Sequence, residues 1–252
     1  MSNRHRLATL AGLTLSLAVS GTAMAANSVS RNGRQDVPPS AAQALMPPGP
    51  ASITQSTSQT ITVGGSISCN GGAPGFFHTD NSYFRAFTLS SFNPPLDATQ
   101  FRVDTVSFGI EQANAAGTGT TQPVVLRLFD SSANPPTNAS IGTAISTDNL
   151  AIPDQAEVVF TATVAAPPVL VNASDILVVE VFTPSGQAAG HSFFIGANAL
   201  GQTGPGFIRA AAVGCDLTEI TNLSLIDPSI HIVMTVSGNN QMPVELQSFE
   251  IR

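Results

Sequence analysis

Short apolar runs with a period of two, separated by turn residues, recur along most of this chain. The segments "QTITVGGSIS", "SYFRAFTL", "FRVDTVSFGIEQ", "PVVLRLFD", "SIGTAIST", "AEVVFTATV", "DILVVEVF", "HSFFIGAN", "GFIRAAA" and "IHIVMTVSG" are each rich in Val, Ile, Phe and Thr. Clusters such as "FNPPLD", "SANPPTN", "TPSGQAAG" and "GQTGPG" punctuate them. No window of a dozen residues sustains an apolar stripe at helical spacing free of Gly, Pro or β-branched runs. The pattern predicts an all-β chain: an antiparallel β-sandwich, jelly-roll-like, of about nine to eleven strands, with a closed barrel as the alternative.

The segment "ILVVEVF" is apolar on both alternations, with Ile176, Val178, Glu180 and Phe182 on one face and Leu177, Val179 and Val181 on the other. Such a strand reads as central and covered on both sides. A glutamate among those neighbours needs a partner, because an unpaired buried carboxylate is costly. Arg127 alternates with Val125 and Phe129, Arg85 alternates with Tyr83 and Phe87, and Glu111 follows the apolar "SFGI". Arg85, Glu111, Arg127 and Glu180 are therefore expected to form structural ion pairs along one sheet face.

The ends of the chain read differently. Residues 1–25 combine Arg4 and Arg6, an apolar run from Leu7 to Val19 and an Ala23-Met24-Ala25 cleavage site, which together read as a signal peptide. Residues 26–52 are rich in Pro, Ala and Ser without periodicity and read as a disordered lead. Residues 53–238 are expected to form the sandwich domain, and residues 239–252 a C-terminal tail or edge strand. No later segment approaches the ~18 consecutive apolar residues of a membrane span. The expectation is an exported protein, periplasmic or extracellular, with no membrane span.

Charge narrows the partners. Loss of residues 1–25 leaves seven arginines against sixteen carboxylates, so nucleic acid is not expected to bind. All nine basic residues are arginine, which excludes a lysine-containing phosphate loop and lysine Schiff-base chemistry. Cys69 and Cys215 are the two cysteines, and in an oxidising compartment they are expected to pair as a disulfide.

No catalytic residue can be assigned by motif. The segment "VGGSISC" does not match a nucleophile elbow, and no two histidines have metal-site spacing. The polar stretch "CNGGAPGFFHTDNSYFRAF" offers His78, Asp80 and Asn81 as candidate ligand-binding residues. Asp80 and Asn81, with loop carbonyls, are also candidate oxygen donors to calcium, although the D-x-D-x-D-G loop is missing. Alternatively, Asp80 and Asn81 fix the turn into a strand by bonding to backbone two positions on, with His78 left facing the loop side. With no Trp and one Tyr, sugar recognition would rely on loops and polar contacts rather than aromatic platforms.

The stretches "HTDNSYFRAF", "VSFGIEQA" and "ILVVEVFTPSGQAAGHSFFIGANALGQTGPGFIRAA", with the two cysteines, resemble a domain of unknown activity found in exported bacterial proteins, alone or appended to secreted peptidases and surface proteins. The resemblance covers roughly Ile53 to Gly238. It implies a secreted accessory module and supplies no catalytic residues. The segment "PVELQSF" is similar to the opening of C-terminal sorting regions. The expected function is a secreted, non-enzymatic interaction or ligand-binding module whose extracellular ligand is a glycan or a protein. The alternative is a secreted hydrolase, glycosidase- or peptidase-like, using Glu111 and Glu180 or a His78-centred site.

Overall fold

The computed structural model describes residues 28–30, 52–72, 74–91, 101–115, 118–170, 172 and 174–240. Their strands are β1 (Ser28–Ser30), β2 (Ser52–Thr54), β3 (Ser68–Asn70), β4 (Asn81–Thr88), β5 (Phe101–Asn114), β6 (Thr121–Ser131), β7 (Ser146–Pro153) and β8 (Gln155–Thr163). They continue as β9 (Val169–Leu170), β10 (Ile176–Thr183), β11 (Ser192–Ile195), β12 (Ala197–Asn198), β13 (Gly206–Ala210), β14 (Leu217–Asn222), β15 (His231–Ile232) and β16 (Met234–Asn240). Two short 3₁₀ turns, Leu89–Ser91 and Leu223–Leu225, are the only helical elements among the described residues.

The strands build an antiparallel sandwich. One six-stranded sheet has the order β14-β13-β4-β10-β6-β7. In the other, β5 is a fourteen-residue spine, flanked by β11 and β16 on one side and by β8 and β9 on the other, with β2 outside β16. Successive strands cross repeatedly between the sheets, as in a jelly roll. The inward alternation of β10 (Leu177, Val179, Val181) meets Val106, Phe108 and Ile110 of β5 in one buried core. The outward alternation of the first sheet carries a second, smaller cluster of Phe84, Ala86, Phe129, Val178 and Phe207, with Ile141 from the β6–β7 connection lying over it. That second cover explains why β10 is apolar on both faces.

Sixteen strand segments exceed the expected nine to eleven, because several are two to four residues long and too short to carry a period. Two expected strands differ. Most of "QTITVGGSIS" is irregular, since the chain turns at Val63–Gly64 and Gly65 donates back to Thr62 O (2.9 Å); only Ser68 enters β3. "SIGTAIST" contributes only Ser146 and Thr147 to β7, a sheet-edge strand that opens on the polar run "STDN" before Leu150 and Ile152 turn to the core.

Ser28–Ser30, inside the segment expected to be disordered, pairs with Ser68–Asn70 as β1. At the other end β16 runs through Asn240. The expected signal peptide, the rest of the lead and residues 241–252 lie outside the described residues.

Bulges let β5 serve several partners. Its register shifts against β16 between Ser237 and Gly238, and against β11 between Phe194 and Ile195. At the second shift Gly109 and Gly196 approach so closely that a Cβ on Gly196 would lie 2.6 Å from Gly109 Cα. Only paired glycines permit Gly196 N to donate to Gly109 O at 2.7 Å.

Cys69 and Cys215 are joined by a disulfide across a sequence separation of 146, linking β3 to the turn before β14. Closing a loop of this length stabilises the fold by up to about 5 kcal/mol on the chain-entropy model. Replacing both cysteines by serine is expected to lower the unfolding free energy measured in denaturant toward that figure. Mass spectrometry of unreduced protein should find no alkylatable thiol; two alkylated cysteines would contradict the link.

Candidate functional site

The stretch from Cys69 to Phe87 carries four of the polar residues singled out in the sequence, His78, Asp80, Asn81 and Arg85, and each is engaged by backbone groups of its own or a distant segment. The Asn81 amide is fully buried and grips the Cys69 peptide from both sides: Oδ1 accepts from Cys69 N (2.8 Å) and Nδ2 donates to Cys69 O (3.0 Å). Nδ2 also donates to Thr79 O (3.0 Å), and Thr79 N donates to Cys69 O (2.9 Å). The expected bond two positions on is replaced by a longer-range clamp on β3. Asp80 is exposed, and its Oδ1 accepts from Ser185 N at 2.6 Å, tying the start of β4 to the loop after β10. The Asn81 oxygen considered for calcium is therefore already engaged by a backbone N–H.

His78 is buried rather than open on the loop side. It is 1% exposed, with Nδ1 3.0 Å from His191 O and Nε2 3.0 Å from Pro184 O. Its backbone is stitched into the same loop, since His78 N donates to His191 O (3.1 Å) and Gly186 N donates to His78 O (2.9 Å). Gly186 is required here, because a Cβ would sit 2.5 Å from His78 Cε1. The two carbonyls favour the charged ring, but burial outweighs them and pulls the pKa down to about 4. His191 lies beside it with Nε2 2.8 Å from Thr118 Oγ1.

Further along β4, Tyr83, Arg85 and Phe87 face the inner core as expected. Tyr83 Oη donates to Ile67 O at 3.0 Å, and burial pushes its phenol up. Arg85, 0% exposed, does not offset Glu111 or Glu180. Its guanidinium donates to Gly204 O, to Ile232 O and to Gln55 Oε1, all neutral oxygens. Burial lowers its pKa to about 10, so it stays charged at neutral pH. Register explains the misassignment: Arg85 is opposite Val179, whereas Glu180 is opposite Phe84 and so points to the other face.

Glu180 pairs with Arg127, its cross-strand neighbour, at 2.8 Å and with Arg209 of β13 at 3.1 Å. Arg209 takes the place foreseen for Arg85. Its signal in "GFIRAAA" is the one that singled out Arg127, an arginine alternating with a phenylalanine in a short strand. Glu111 accepts from Gly64 N at 2.7 Å, fixing the turn over β5. Glu111 and Glu180 belong to different sheets. A glycosidase pair needs two carboxyls that face one cleft, whereas Glu111 is engaged by the Gly64 N–H and Glu180 by two arginines.

Among the described residues no three His, Cys, Asp or Glu side chains converge as a metal-ligand group, and no helix is long and apolar enough to cross a membrane.

No protein-family model matches the chain, and no curated protein does. A solved structure with a detectable likeness is the crystal structure of the cysteine protease and lectin-like domains of Cwp84, a surface layer associated protein of Clostridium difficile, at 10% identity and a TM-score of 0.43. The alignment covers 67% of this chain and 34% of that one, so this chain spans about a third of its length. A likeness this distant carries no argument here.

The lowered pKa of His78 makes stability depend on pH. A histidine near 6.5 when unfolded and about 4 when folded binds more protons unfolded across that window, so stability is full above pH 6.5 and falls as pH drops. Between pH 7.5 and pH 5, above most carboxylate titration, the expected loss is about 2 kcal/mol. Urea unfolding at the two pH values, alongside His78→Gln, should show this loss in the parent and a smaller one in the variant. Stability unchanged or higher at pH 5 would mean that the ring is protonated between its two carbonyls.

Proposed function

We propose that this chain is an exported, non-enzymatic binding module acting at the cell surface or in the surrounding medium. The observation that carries the reading is that the polar groups with catalytic potential are committed to structure. Both nitrogens of His78 face carbonyls, Asn81 holds the Cys69 peptide, Glu180 lies between two arginines and Glu111 holds the Gly64 turn. A hydrolase needs a carboxylate or imidazole free to meet substrate. The disulfide adds to the reading, because such links persist in oxidising compartments. So does the resemblance of the β4 and β10–β13 motifs to a module of exported proteins. The ligand is an extracellular glycan or protein.

A binding screen of the whole protein against glycans and cell-wall polymers, with and without added calcium, tests this. Saturable binding without release of product is expected. Turnover of chromogenic glycosides or peptides, abolished by Glu180→Gln or His78→Gln, would replace the module with an enzyme.

A further inference from the structure

The outer face of the first sheet carries its charges in two layers. Glu180, with its side chain 1% exposed, lies underneath, and each of its oxygens accepts from one arginine. Above it lie Arg127 and Arg209, each 29% exposed, with Arg127 over the Phe182 ring at 4.7 Å and Arg209 over Phe84 at 5.4 Å. Register sets this arrangement: Glu180 is opposite Arg127 and Phe84, while Phe182 and Arg209 both lie opposite Ser82. Two positive charges face outward over one negative charge on a chain whose net charge is −7.

The donors on this face exceed what Glu180 needs. A guanidinium has five N–H groups, and among the described residues Arg127 gives one hydrogen bond, to Glu180. Its Cζ lies 4.7 Å from the Phe182 ring centroid, a cation–π contact that holds the guanidinium over the ring without engaging the remaining donors. Arg209 is further held by Asn138 Oδ1 at 3.1 Å and Ser82 Oγ at 3.5 Å. Beside Arg127, β7 presents Thr147 opposite Arg127 and Asn149 opposite Val125, both exposed.

From this layout we infer that the face around Arg127 binds a carboxylate-bearing polysaccharide. The free edge of the Arg127 fork takes the carboxylate, and Thr147 and Asn149 meet the neighbouring sugar hydroxyls. The inference rests on the binding-module reading and gives it a place and a ligand class. An acidic peptide fits less well. A peptide strand added to the free edge of β7 would run beside the sheet and not over the outer face where Arg127 lies on the interior strand β6, whereas hydroxyl and amide groups beside a guanidinium match the edge of a uronate.

Affinity electrophoresis of the whole protein on polygalacturonate, its methyl ester, dextran sulfate and polyglutamate tests the inference. Polygalacturonate should retard the protein and its neutral ester should not, with retardation falling as salt rises. Arg127→Gln, which leaves Arg209 on Glu180, should weaken binding about tenfold or more. Asn149→Asp leaves the triad untouched, sets a carboxylate beside the fork and should weaken binding similarly; it decides the matter if Arg127→Gln does not fold. Undiminished binding by Asn149→Asp, or retardation by dextran sulfate or polyglutamate but not by polygalacturonate, overturns the inference. Binding to neutral glycans alone would sink it while leaving the module reading intact. No binding to any polymer would sink both.

Discussion

A guanidinium buried between the two sheets without a carboxylate is the constraint around which the rest of this sandwich is arranged. Arg85 sits on the inward face of β4, between Tyr83 and Phe87, where alternation calls for an apolar residue. Removing such a charge from water costs several kcal/mol unless hydrogen bonds replace its hydration. The replacement comes from three separate segments: Gly204 before β13, Ile232 in β15 and Gln55 after β2. Gln55 then donates from Nε2 to Ala86 O at 2.7 Å, so the chain returns to the residue beside Arg85. One side chain thus ties the first sheet to the connections that carry the chain to the second.

The same logic runs through the other polar residues. A sandwich with long connections leaves many backbone N–H and C=O groups without a ladder partner, and buried ones must be met by something. With charged residues at 10% of the chain, few side chains are available, and several of the buried ones work on a backbone segment. Asn81 holds β3, His78 holds the 184–191 loop and Glu111 holds the Gly64 turn. Glu180 departs from this pattern. It meets side chains on the outer face, and its arginines remain partly in solvent. That difference separates a framework of committed groups from a surface able to meet a ligand.

Much of this was legible in the sequence, and the limits have physical causes. Alternation identified β4, β5, β6, β8 and β10, because each is long enough for a period of two to register and buries at least one face. It also identified β10 as doubly covered, and it grouped Arg127 and Glu180 in one set with Arg85 and Glu111. Alternation cannot say which strands are adjacent or in what register, so Arg85 and Glu180 were placed on one face when they lie on opposite ones. A strand slipped by one residue exchanges its faces, and that choice is fixed by long-range packing. The edge strand β7 carries no such signal: it opens on the polar run "STDN", and its exposed positions mix Thr147 and Asn149 with Ala151 and Pro153. His78 was read as open because a histidine after a glycine-rich loop has no local sign of the loop, more than a hundred residues later, that closes over it.

The central claim is that Arg85 is a structural charge whose partners depend on it. Denaturant unfolding of Arg85→Met tests this most directly, because methionine keeps much of the apolar volume and removes the donors. The expected result is a loss of about 3 kcal/mol or more, since Gly204 O, Ile232 O and Gln55 Oε1 are left buried without their donor. A variant as stable as the parent, or more stable, would show that the core does not depend on that guanidinium.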